Sequence, residues 1–89
     1  MKAVITVIGH DKVGIIARVS ALLSESNVNI LDITQTIMQD IFTMIMLVNL
    51  SGANVSMHDL AKKMQELGDE IGVKIHLQHE GVFDAMHKV

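Results

Sequence analysis

The sequence predicts an α+β fold, a single domain built from two strand-helix-strand units. Three observations carry this reading. Strand-like apolar runs occupy residues 2–8, 29–39, 41–50 and 73–80. Between the first two runs, and again between the last two, apolar residues recur at spacings of three and four, the period of a helix. The middle runs meet at a tight turn, Gln39-Asp40, so they form a hairpin. With right-handed crossovers the result is a ferredoxin-like βαββαβ sandwich: a four-stranded antiparallel sheet in the order 4-1-3-2, with two helices on one face.

The first strand carries apolar side chains on both faces, Ala3, Ile5 and Val7 on one and Val4 and Ile8 on the other, as a central strand covered from both sides would. Gly9 ends it. The first helix, residues 14–26, has Ile15, Ile16, Val19, Leu22 and Leu23 on its apolar stripe and Asn27 as its stop. The second strand splits into Leu31, Ile33 and Ile37 against Asp32, Thr34 and Thr36, which suits an edge or a strand lying beside a partner. The third strand is apolar on both faces and therefore central.

Ser56, with Asp59 three residues on, resembles a capping box before the second helix. That helix carries Leu60, Ala61, Met64, Leu67 and Ile71 inward; Gly68 weakens its last turns and Gly72 stops it. The fourth strand turns Val73, Ile75 and Leu77 inward and Lys74, His76 and Gln78 outward. These elements fill residues 1–80. In the tail, 81–89, Val82, Phe83, Met86 and Val89 fit one or two helical turns packed on the body, and equally a frayed end.

Composition narrows the function classes. The chain has 89 residues, 49% hydrophobic but only 2% aromatic, and seven methionines, which gives an adaptable aliphatic core. It has no cysteine, so disulfides and thiolate metal sites are excluded. No apolar run approaches the ~20 residues of a membrane span, and a cytoplasmic location without membrane contact is expected. The net charge of −3 with scattered basic residues argues against a nucleic-acid surface. RNA binding on this fold would also need stacking aromatics on the central strands, where only Phe42 occurs.

Catalytic and metal readings also fail. His76 and His79, three apart on a strand, point to opposite faces and cannot share a metal. No serine has an activating base nearby. Gly9 and Gly14 match the first half of a phosphate loop, but Ile15 and Ile16 stand where Lys and Ser/Thr would reach phosphate and metal. A small-phosphatase chemistry would rest on Arg18, the sole arginine, a turn into the helix. No cofactor, no metal and no enzymatic activity are expected. What remains is the turn from the first strand into the first helix, with His10 and Asp11 polar and helix amides that favour a carboxylate.

The pattern Asp11-x-x-Gly14-Ile15-x-Ala17-x-Val19, then Leu22-Leu23 and Asn27-x-Asn29-Ile30, resembles the signature of the ACT domain, and the likeness extends over residues 1–80. Gln35-Thr36 and Phe42-Thr43-Met44 place the chain with free-standing single-ACT bacterial proteins, more distantly with the glycine cleavage system repressor. The resemblance implies a regulatory module that binds an amino acid or related metabolite between two copies and acts on an unknown protein partner. It implies a homodimer, or a tetramer built from it. It places the ligand against His10, Asp11, Lys12, Val13, Gly14 and Ile15 of one copy and Asn29 and Ile30 of the other. Relatives often carry Pro at the place of Val13, and some carry a histidine where Gly9 stands. The alternative is a protein-interaction or oligomerisation module with no functional ligand site, suggested by an apolar sheet face that two helices on one side cannot cover.

Overall fold

The computed structural model describes residues 1–10 and 14–86. Its elements are β1 (Lys2–His10), α1 (Ile15–Glu25), β2 (Asn29–Met38), β3 (Ile41–Asn49), α2 (Met57–Ile71), β4 (Lys74–His79) and α3 (Glu80–Met86). The sheet is antiparallel, in the order β2-β3-β1-β4. This is the ferredoxin-like arrangement expected, with the two strands apolar on both faces at the centre.

Register defines the two faces. Ala3, Ile5 and Val7 of β1 stand beside Val48, Met46 and Met44 of β3, all buried under α1 and α2. Val19 and Leu23 of α1 and Leu60 and Met64 of α2 close the core from above. The opposite face carries Val4, Thr6 and Ile8 beside Leu47, Ile45 and Thr43. Coverage there is uneven, contrary to the expectation of a central strand buried on both sides: Val4 is 5% exposed and Ile8 45%. The cause is α3, which touches β1 and β4 and neither of the other helices. It therefore lies on this second face, over the Val4 end, and leaves the rest open.

Local chemistry accounts for the helix ends. Ser56 caps α2 by accepting the Asp59 N–H at 3.1 Å. Asn27 takes the left-handed conformation after α1, with φ 56, and Gly72 does so after α2, with φ 76. Gly68 has a tertiary role that helix propensity does not suggest. It is buried, its carbonyl accepts the N–H groups of Gly72 at 2.8 Å and Val73 at 2.9 Å, and a Cβ on it would stand 2.7 Å from the Val73 carbonyl oxygen. Gly9 has the same kind of reason to lack a side chain, since a Cβ there would meet Val73 Cγ1 at 2.5 Å.

β2 departs from simple alternation. Its register against β3 shifts between Ile30 and Asp32, so Leu31 is the extra residue of a bulge. Beyond it, Ile33, Gln35 and Ile37 lie beside the buried Met46, Met44 and Phe42 on the helix side, while Asp32, Thr34 and Thr36 lie on the other.

Candidate ligand-binding site

The turn from β1 into α1 is built on Gly14. It is the N-cap of α1 with φ 88 and ψ 1, a left-handed conformation, and it makes no side-chain cap hydrogen bond. Among the described residues, and apart from its chain neighbours, a Cβ at Gly14 would find no atom within 4 Å. Its carbonyl accepts the Arg18 N–H at 2.9 Å. Among the described residues no side chain caps the first-turn amides of α1, which leaves partial positive charge there.

Beside this turn runs a groove of about 550 Å³, on the helix side of the sheet. Gly14, Ile15, Ile16 and Ala17 form one wall; Gln35, Ile37 and Phe42 form floor and opposite wall. Ile16 is 39% and Ile37 62% exposed, so much of this wall is apolar surface in contact with water. Gln35 is the polar group among them. The sequence held its signal, a single amide in the alternating series Ile33, Gln35, Ile37, but that series reads as a groove only once α1 lies over it.

Of the residues expected to hold a ligand, Gly14 and Ile15 line this groove. Ile15 is 3% exposed, so its side chain belongs to the core and only its backbone faces the turn. Asp11, Lys12 and Val13 lie outside the described residues. His10, the last residue of β1, stands beside Ile41 and so on the far face of the sheet. There its Nδ1 lies 3.3 Å from an Asp40 carboxylate oxygen, both side chains being largely exposed.

Asn29 and Ile30 lie at the other end of the sheet. Asn29 is level with Asn49 and, through it, with Lys2 at the start of β1, whereas Ile37 is level with Phe42 and Gly9. The separation along β2 is about eight residues, or ~26 Å. One copy therefore does not bring the two halves together. Asn29 and Ile30 border a second groove of about 510 Å³, with Ser20, Ser24, Asn27 and Asn49 around them. Its polar groups are hydroxyls and amides with no charge among them, and Asn27 Nδ2 donates to the Gly52 carbonyl at 2.7 Å.

Among the described residues the side chains that could carry chemistry lie apart from the turn. Arg18 forms an exposed 2.6 Å ion pair with Glu70 across α1 and α2, away from the turn. Among the described residues no three His, Asp or Glu side chains gather as a metal set, and no helix is long and apolar enough to cross a membrane.

Comparison with known proteins agrees with the fold. The family model for the ACT domain matches residues 2–78. A UPF0237 protein of Clostridium acetobutylicum is 56% identical over 89 residues, covering all of both chains. One from Methanopyrus kandleri is 51% identical over 88 residues, covering 99% of this chain and 98% of its own. Among solved structures, an ACT domain protein from Streptococcus pneumoniae superposes with a TM-score of 0.82 at 40% identity, covering 98% of each chain. A putative glycine cleavage system transcriptional repressor superposes at 0.73 with 26% identity, covering 86% of this chain and 44% of the other. The chain belongs to the ACT domain family of regulatory domains.

Proposed function

We propose that this chain is a non-catalytic regulatory domain that binds a small metabolite, an amino acid in the first instance, between two copies of itself and passes the signal to a partner protein. One observation carries the reading. Two grooves lie at opposite ends of β2 on the same side of α1, one beside Gly14 and one bordered by Asn29 and Ile30. Ile30 stands on the helix side of the sheet, while register turns Asn29, the first residue of β2, toward the far face. If two copies pair antiparallel along β2 about a two-fold axis, the Asn29 end of one arrives beside the Gly14 end of the other. Each groove is then completed by its partner, and two identical sites form.

Charge placement favours this pairing. The open edge β2 has ten residues and no lysine or arginine, whereas the other edge, β4, has six, including Lys74, His76 and His79. Lysines on a short strand are a common guard against pairing; β2 is long and has none, its single charge being Asp32 beside the bulge at one end. In the completed site the α1 amides face a carboxylate. Asp11 and the partner's Asn29 serve the ammonium group, and the ligand side chain lies along Ile16, Gln35 and Ile37. The His10 ring, on the far face, takes no part.

The test is calorimetry of the full chain against a panel of the common amino acids. Heat with one or a few of them, lost in Asn29→Ala, is the expected result. No heat with any, from protein shown to be folded and dimeric, overturns the ligand reading. It would leave the alternative of an interaction module, in which Asn29→Ala leaves partner capture unchanged.

A further inference from the structure

The second face of the sheet is only half used. A sheet of four strands spaced ~4.8 Å apart is ~19 Å across, room for two helices packed ~10 Å from each other. The first face holds two, α1 and α2. The second holds one, α3, which sits over β1 and β4. The half over β2 and β3 is exposed and mixes aliphatic side chains with threonines: Met38 is 68%, Ile41 46% and Ile45 37% exposed, with Thr34, Thr36, Thr43 and Leu47 beside them. It lies across the sheet from the ligand grooves and does not depend on the ligand reading.

The charge on this half has one sign. Residues 29–49 contain Asp32 and Asp40 and no lysine or arginine. Asp32 marks one end of the strip, level with Leu47, and Asp40 marks the other, in the turn after β2. The face's basic groups, Lys2 on β1 and Lys74 and His76 on β4, belong by register to the strands under α3, and His10 stands beside Asp40.

From this geometry we infer that the β2–β3 half of the open face docks an amphipathic helix of a partner protein, lying beside α3 as the second helix of that layer. Its apolar stripe covers Ile41, Ile45 and Met38. Its ends carry lysine or arginine opposite Asp32 and Asp40. Eight strand residues separate those carboxylates, ~26 Å, which a helix rising ~1.5 Å per residue spans in about 17 residues.

The chain has no tryptophan or tyrosine, so a tryptophan placed in a peptide reports binding without background. The probes are two helical peptides of about 18 residues, sharing one leucine stripe and a tryptophan, one with lysines at both ends and one with glutamates. The lysine-ended peptide binds the full chain saturably. The glutamate-ended peptide binds about tenfold more weakly, a gap that closes with added salt. Ile45→Lys abolishes binding, and Lys62→Ala, on the outside of α2, does not. Circular dichroism checks the fold of each variant, and Ile41→Lys replaces Ile45→Lys if the latter unfolds. No saturable binding, equal binding of the two peptides, or binding indifferent to Ile45→Lys overturns the inference. So does a fall in the chain's own mass by light scattering in Ile45→Lys, which would mean that a second copy holds this face.

Discussion

Replacing Gly68 by alanine sets a local rule against a tertiary one. An interior glycine in a helix costs about 1 kcal/mol relative to alanine, so propensity alone expects Gly68→Ala to stabilise α2. The structure expects the reverse. The new Cβ would lie 2.7 Å from the Val73 carbonyl oxygen, 3.3 Å from Ile75 Cγ1 and 3.5 Å from the Ile75 nitrogen. Two of these atoms are backbone and cannot rotate away, so α2 and β4 must separate. Overpacking of this kind costs about 1–3 kcal/mol. Separation also strains the hydrogen bonds from Gly72 and Val73 to the Gly68 carbonyl, each contributing about 1 kcal/mol. Set against the propensity gain, the net expectation is a loss of about 1–2 kcal/mol, or a fall of roughly 5–15 °C in Tm for a domain of this size. Urea denaturation followed by circular dichroism measures it. Both proteins are compared at one fixed concentration, because association makes apparent stability concentration-dependent. Asp69→Ala, at the exposed neighbouring position, should stay within about 0.5 kcal/mol. A Gly68→Ala protein as stable as the parent, or more so, would show that α2 does not approach β4 this closely.

Three further outcomes are expected. Ser56→Ala removes the oxygen that accepts the Asp59 N–H and lowers stability by about 1 kcal/mol, seen as a 4–8 °C fall in Tm; an unchanged Tm would mean the cap contributes nothing. Gly14→Ala meets no neighbour among the described residues and so costs only the left-handed backbone, about 1–2 kcal/mol by urea titration. Gly14→Asn should cost less, and equal losses in the two would point to a steric cause instead. Ile33→Glu, at the middle of β2 and 38% exposed, puts two carboxylates near each other across the proposed two-fold axis. Light scattering should then fall from the dimer mass to 9.8 kDa, and a mass unaltered by the substitution argues against pairing through β2.

Much of the architecture is legible along the chain because its causes are local. Ser56 before α2 and Gly72 after it act within a few residues of themselves, and so does Asn27 after α1. The contrast between β1 and β3, apolar on both faces, and the half-polar β2 is a contrast of alternation, which fixes the centre and the edge of the sheet. The glycine of the likeness, Gly14, is legible for the same reason, since it stands where the backbone is left-handed at the turn from β1 into α1.

The site is less legible, because its geometry depends on residues far apart in sequence. Asn29 and Gly14 stand close along the chain at the two ends of one helix, yet that helix holds them apart in space. His10 and Asp11 adjoin in sequence, but strand alternation sends the His10 side chain to the face away from the groove. Gln35 gains a place in the groove only through α1 passing above it.

The sequence by itself determined the order of elements, their caps and the arrangement of the sheet, since hydrophobic period and turn chemistry are written in neighbouring residues. Only the tertiary structure decided why Gly9 and Gly68 must lack a side chain, which half of the second face α3 covers, and that the Gly14 turn and Asn29 lie too far apart to form one site within a single copy. Each of these is a distance between parts of the chain that no local pattern encodes.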